Sequence, residues 1–376
     1  MTLKFEPSLK AQRLDVKTPS ACYPIYIGAG LTADIIHYLN LMPRLSELND
    51  ILLISNDLVY PLYGQSLEAQ LLSSGRNVYR YILPDGEVYK TWDSAEKILS
   101  YALEHQLSRR TLVIALGGGV VGDLAGFAAS IYLRGVPLVQ IPTTLLAQVD
   151  SSIGGKTAVN HPLGKNLIGA FYHPQMVLID TDVLTTLPQR ELLAGLAEVI
   201  KYGIIWDAQL FDFLEVNSEQ ILNRNPAYLA PVIRRCCEIK AEIVAKDERE
   251  QGLRAILNFG HTVGHALERV TNYSQYRHGE AVAVGMAAAA KLSELVGLLS
   301  STESNRIIEL ISRYRLPTRL PAVPHQSILD AVKYDKKAVK EQVFFVLSQR
   351  IGEAVVVNLF EKYGTEVLTE ALSLIE

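Results

Sequence analysis

LVIALGGGVVGD, residues Leu112–Asp123, is the stretch on which the reading of this chain turns. Five apolar, β-prone residues run straight into a cluster of glycines, and the residues beyond can start a helix. Gly117, Gly119 and Gly122 fit the pattern G-x-G-x-x-G. Glycines at that spacing permit a tight turn and let the backbone approach a pyrophosphate at a helix N-terminus. The match departs from the ordinary dinucleotide fingerprint in two ways. It lies far from the start of the chain, and the acidic ribose partner expected about 20 residues later falls near Gln140. A plain strand-to-helix turn is the competing reading. The context favours phosphate or dinucleotide binding of the NAD type, by a topology other than the usual one.

Working outward, further β-rich runs occur at Ile51–Ser55, Tyr79–Leu83, Leu138–Ile141 and Val177–Asp180, with helical spacing between several of them, as at Trp92–Glu104. Strands alternating with helices predict a parallel, helix-covered sheet. From Pro188 onward the pattern becomes successive helices: Glu191–Tyr202, Gln209–Glu215, Ala227–Lys246, His261–Val270, Glu280–Val296 and Ser304–Arg313. Pro317, Pro321 and Pro324 punctuate a loop, and a late hairpin, Val343–Leu347 with Ala354–Leu359, turns at Gly352. The expected organisation is an α/β Rossmann-like domain over 1–184 and an all-α or mainly helical domain over 185–376.

Composition narrows the function classes. The 376 residues are 49% hydrophobic and 20% charged, which suits globular domains, two of them at this length. Lys+Arg number 36 against 40 Asp+Glu, a net charge of −4, without the basic excess of a nucleic-acid protein. Three cysteines, two of them adjacent (Cys236, Cys237), do not make a disulfide scaffold and point to a reducing compartment. The uncharged run Gly135–Val149 contains two prolines and is shorter than the ~20 apolar residues of a membrane span. The opening residues lack the hydrophobic core of an export signal. A cytoplasmic protein without membrane or nucleic-acid partners is expected.

Gly154-Gly155-Lys156-Thr157 suggests a nucleotide-triphosphate loop, but Asp150 occupies the place of that loop's first glycine, which excludes it. Asp150, Lys156, Lys165 and Asn166 instead lie in a stretch, Asp150–Gly169, whose polarity and glycines argue against a strand or stable helix. Mobile cations beside glycines suit an anionic, phosphorylated ligand. Further on, His261 and His265 stand four apart on one helical face, and His278 opens the next helix. Glu198 lies three residues before Lys201 in a largely apolar helix. Zinc takes imidazole nitrogens and carboxylate oxygens, and a catalytic site leaves positions open. Spacing names His261 and His265 as joint ligands and leaves open whether His278 displaces one of them.

Taken together, GGGVVGDLAGF, IPTTLLAQVDSSIGGKTAVNHPLGKNLIGAFYHP (Ile141–Pro174), AEVIKYG, DEREQGLRAILNFGHTVGHALE and HGEAVAVGM resemble the 3-dehydroquinate synthases of the sugar-phosphate cyclase superfamily, in order and over nearly the whole chain. The resemblance implies a Rossmann-like N-terminal domain binding NAD and a helical C-terminal domain holding a divalent metal, zinc or cobalt. It assigns Glu198, His261 and His278 as ligands, and moves His265 to the substrate phosphate. It implies NAD contacts from Asp85, Glu87 and Lys90, from Gly118, Gly119, Val120 and Asp123, from Thr143 and Thr144, and from Lys156 and Lys165. Asp150, Lys156, Glu198, Lys201 and His265 become catalytic; Lys165, Asn166, Lys240, Arg254, Asn258, Lys336 and Lys337 become substrate contacts. Asn56 departs from the family, whose members often carry an aspartate nearby for the adenosine ribose.

The implied reaction converts 3-deoxy-D-arabino-heptulosonate 7-phosphate to 3-dehydroquinate and phosphate. It runs through transient oxidation by NAD, phosphate elimination, reduction, ring opening and an intramolecular aldol, a step of aromatic amino-acid biosynthesis. A homodimer is also implied. Another sugar-phosphate cyclase or a metal-dependent polyol dehydrogenase is the alternative; the Arg254/Asn258 pair, suited to a substrate carboxylate, favours the synthase.

Overall fold

The computed structural model describes residues 11–336 and 343–376. The chain forms two compact units. One runs to Leu187 and takes in Lys240–Arg249; the other comprises Pro188–Ile239 and the chain from Glu250 on.

The first unit is built on a seven-stranded sheet. Its strands are β1 (Gln12–Lys17), β2 (Cys22–Gly28), β3 (Asp50–Asn56), β4 (Asn77–Leu83), β5 (Leu112–Gly117), β6 (Leu138–Pro142) and, after the hairpin β7 (Lys156–His161)–β8 (Gly164–Phe171), β9 (Met176–Asp180). The order across the sheet is β1-β2-β9-β6-β5-β3-β4. The central strands are buried end to end, as parallel strands covered on both faces must be. Helices α1 (Trp92–Glu104) and α2 (Gly119–Ile131) pack Ile98, Leu124 and Phe127 into one core layer with Leu52 and Val113. The other face buries Ile51, Ile114, Val139 and Leu178.

The sheet differs from the expected all-parallel one at its edge, where β1 pairs with β2 antiparallel. β1 alternates polar residues on an edge, and β2 contains Pro24, which demotes a run as a strand signal. The ladder from β2 to β9 starts only at Ile25, so the proline removes no donor from it. A second difference is larger. Residues Lys156–Phe171 form a hairpin, with Lys156 opposite Phe171 and Val159 opposite Ile168. Burial of Thr157, Ala158 and Val159 against α2 overrides the unfavourable composition.

The second unit is largely helical. α3 (Gln189–Ile205), α4 (Pro226–Lys246, ending in the other unit), α5 (His261–Val270) and α6 (His278–Leu295) are its principal helices, followed by Ser301–Arg313 and His325–Lys336. α4 buries Cys236 and Cys237, while Cys22 on β2 is exposed. This unit is not all-α: β10 (Phe344–Arg350) and β11 (Glu353–Asn358) form a hairpin around Gly352 that packs Phe345 and Leu347 into a core with α5 and α6.

Candidate active site

Four parallel strands, β3 to β6, deliver their carboxyl ends to one edge of the sheet. That edge of an open α/β sheet is where ligands bind, beside the point at which strand order reverses. Here β4 lies on one side of β3 and β5 on the other. Asn56 ends β3, Asp85 follows β4, Gly118 and Gly119 follow β5, and Thr143 and Thr144 follow β6. The sequence-selected groups therefore share one edge. Gly118 caps α2 and Gly119 is its first residue, with Val120 next. A Cβ at Gly119 would come within 3.1 Å of Ser151 Oγ. The Thr143 hydroxyl is buried with no hydrogen-bond partner among the described residues.

Gln140, which stands where an acidic ribose partner was sought, has a structural task. Its Nε2 donates to the Gly122 carbonyl at 3.1 Å, and any Cβ on Gly122 would meet its Oε1 at 2.7 Å. Asn56 donates to Asp85 Oδ1 at 2.6 Å and accepts from the Val59 amide, so it bolts the β3 and β4 termini together. Lys90, buried, donates to Asp123 Oδ2 at 2.5 Å and Asn166 Oδ1 at 2.6 Å. Burial alone would lower its pKa, but the Asp123 and Glu87 carboxylates more than offset that and raise it. Glu87 in turn accepts from Asn160 at 2.8 Å.

The basic groups of this unit surround that edge's hairpin. Lys156 opens β7 and is exposed; Lys165 lies on β8, half-buried. Lys240, from α4, donates to both the carbonyl and Oδ1 of Asp150 at 2.6 Å. Beside it, His173 Nε2 meets Glu248 Oε1 at 2.8 Å.

In the helical unit, Glu198 on α3, His261 at the start of α5 and His278 at the start of α6 each present an atom within 4.8 Å of the others. Glu198 is fully buried, paired with buried Lys201, and neither of its oxygens accepts a hydrogen bond among the described residues. Lys201 supplies one cation to this carboxylate, and a metal ion held with the two imidazoles would supply a second. Its Oε1 lies 3.5 Å from His261 Nε2 and 3.7 Å from His278 Nε2. His261 Nδ1 faces the Phe259 carbonyl at 3.2 Å, and since a carbonyl only accepts, Nδ1 carries the proton and Nε2 the lone pair. Burial, then Lys201 and the other two imidazoles, hold His261 well below the usual histidine range, hence neutral at pH 7. Two imidazole nitrogens and a carboxylate oxygen are the donor set of a catalytic zinc-type site. His265, exposed, is the third corner of a ring triangle with centroids 5.3 to 5.8 Å apart. Two donor groups result, Glu198 with His261 and His278, and His265 with Glu268 and His278. Arg254 is buried in the short 3₁₀ turn Leu253–Asn258, and Asn258 donates to Glu250 Oε1 at 2.9 Å.

The family descriptions "3-dehydroquinate synthase N-terminal" and "3-dehydroquinate synthase C-terminal" match residues 80–194 and 195–338. The chain belongs to the 3-dehydroquinate synthase family. A family member from Desulforamulus reducens is 51% identical over 90% of this chain and 94% of its own length. Among solved structures, the 2-epi-5-epi-valiolone synthase of Streptomyces hygroscopicus subsp. jinggangensis, with NAD+ and Zn2+ bound, has a TM-score of 0.85 at 28% identity, covering 97% of this chain and 99% of that one. A 2-deoxy-scyllo-inosose synthase complexed with carbaglucose-6-phosphate, NAD+ and Co2+ has a TM-score of 0.80 at 27% identity, covering 92% and 95%.

Two acids of this family member escaped the sequence reading. Glu250 was inside a quoted motif, yet only the fold sets it against Asn258. Glu268 stands within 4.8 Å of both His265 and His278 as a second donor group. Lys336 closes the helix His325–Lys336, and Lys337 lies outside the described residues.

Proposed function

We propose that the chain catalyses the 3-dehydroquinate synthase reaction, a carbon–oxygen lyase step that takes 3-deoxy-D-arabino-heptulosonate 7-phosphate to 3-dehydroquinate and phosphate. The observation that carries the reading is the fully buried Glu198 carboxylate, paired with Lys201 and grouped with the His261 and His278 imidazoles. Glu198, His261 and His278 would hold a divalent metal, zinc or cobalt, whose Lewis acidity lowers the pKa of a substrate hydroxyl. Gly118, Gly119, Val120, Thr143 and Thr144 would hold NAD, which takes up and returns one hydride per turnover. The buried Thr143 hydroxyl, without a hydrogen-bond partner among the described residues, fits an oxygen-rich diphosphate there. Asp85, Glu87, Lys90 and Asp123 shape the rest of that edge.

The remaining work falls to the chain's own side chains. Lys156, Lys165 and Asn166 of the sheet unit, and His265 of the helical unit, are cations or hydrogen-bond donors suited to a phosphate. Arg254, buried and planar, fits the substrate carboxylate bidentately, and Asn258 adds an amide to the same group. Lys201 pairs with Glu198 and, after burial, is the largest influence against protonation of His261. Asp150 and Lys240 hold each other in place. Enclosure of the ring-opened product favours the closing aldol, because a held near-attack geometry replaces roughly 7–11 kcal/mol of barrier.

The reading also includes a cytoplasmic homodimer, with Lys336 or Lys337 reaching the substrate; light scattering tests the assembly. No helix among the described residues is long and apolar enough to cross a membrane. The deciding experiment supplies carboxylated and uncarboxylated heptulose phosphates side by side with catalytic NAD and zinc. Phosphate release from the carboxylated sugar alone, with no net NADH, is expected. Release only from the uncarboxylated sugar indicates a different cyclase, and stoichiometric NADH indicates a dehydrogenase.

A further inference from the structure

We propose that Glu268 is a positioning residue for the metal centre: its carboxylate faces His278 Nδ1 and so turns His278 Nε2 toward Glu198. The inference rests on the reading of Glu198, His261 and His278 as metal ligands. Glu268 lies on α5 two turns beyond His261, on the same face, and is 2% exposed. Carboxylates are almost never buried to that degree without a charged or donor partner. His278 stands between two buried acids, its Nε2 3.7 Å from Glu198 Oε1 and its Nδ1 3.6 Å from Glu268 Oε2. An imidazole has one proton to place when neutral. With an anion opposite Nδ1, that proton sits on Nδ1, and the lone pair is on Nε2, the side of Glu198 and His261.

His261 solves the same problem with a different acceptor, the Phe259 carbonyl. A backbone carbonyl fixes the tautomer; a carboxylate also adds negative charge behind the ring and raises the ligand's basicity. The second donor group, His265 with Glu268 and His278, offers the rival view that Glu268 itself binds the ion. It needs the exposed His265, whereas the fully buried carboxylate, Glu198, belongs to the first group.

The test strips the full-length protein with a chelator and titrates Co2+ and Zn2+ against a competing chelator at one pH, for wild type, Glu198→Gln, Glu268→Ala and Glu268→Gln. Glu268→Ala is expected to weaken metal binding about 10–100-fold while the visible Co2+ spectrum keeps its shape. Glu268→Gln, which retains an acceptor of equal size, recovers part of that loss. NAD affinity and the melting temperature of the metal-free variants stay at wild-type values, which separates positioning from damage to the fold. Metal affinity of both Glu268 variants within twofold of wild type overturns the inference and leaves the proposed function standing. So does a Co2+ spectrum showing a lost ligand in Glu268→Gln, because Glu268 then binds the ion directly. Wild-type binding that Glu198→Gln does not impair overturns both.

Discussion

Burial first, and then the neighbouring Lys201 and two imidazoles, keep His261 unprotonated and ready to donate an electron pair. His261→Ala should therefore abolish metal binding and turnover while NAD affinity stays nearly normal; metal content by mass spectrometry and a NAD titration check this. Retained activity would remove His261 from the centre. Arg254→Ala should act on a different quantity. Losing a buried cation opposite a carboxylate costs about 2–4 kcal/mol, so KM for the heptulosonate phosphate should rise steeply with metal content unchanged. An unaltered KM would count against the carboxylate clamp.

At the level of elements, the packing of α6 on α3 decides whether His278 reaches Glu198 at all. A Cβ on Gly279 would lie 2.0 Å from the Ala194 carbonyl, so Gly279→Ala must push the two helices apart. The expected result is a loss of about 1–3 kcal/mol in urea unfolding, together with weaker metal binding; an unchanged transition would show that the helices yield. The same junction carries the ion pair of Arg190 with Glu280, 2.7 Å. Burial opposes ionisation of Glu280, but the hydrogen bonds from Arg190 and the Arg277 amide outweigh it and lower its pKa. A depressed carboxylate stabilises above its unfolded value of about 4.3 and loses that contribution as pH falls through the folded one. Unfolding free energy should thus drop between about pH 5 and about pH 3, and less so in Glu280→Gln. Arg190 is half-exposed, so solvent screening limits the difference to about 1 kcal/mol or less.

Elements also show where sequence was legible. Long periodic segments such as Trp92–Glu104 and His261–Val270 carry their own signal and fold as read. The Lys156–Phe171 hairpin does not, because its strands are stabilised by the face they bury on α2 rather than by their own residues. The glycine turn was legible as a turn, yet the role of Gln140 beneath it needs the fold. Likewise His278 is ranked over His265 only when α3 supplies Glu198, a partner from 80 positions earlier in the chain. Glu268 was visible as a letter but not as a buried acid.

On the scale of the molecule, the sheet unit is not a continuous piece of chain. Residues up to Leu187 lack Lys240 and Glu248, the partners of Asp150 and His173. A fragment of residues 1–187 should consequently melt well below the first transition of the full chain by circular dichroism; equal melting would show that Lys240–Arg249 is dispensable. Burial, reinforced by the neighbouring Cys237, pushes the Cys236 thiol well above its ordinary pKa, whereas Cys22 faces solvent. A maleimide dye added to the native protein will therefore attach at one place, on the outer reaches of the sheet, giving a ready-made spectroscopic handle without engineering away any cysteine.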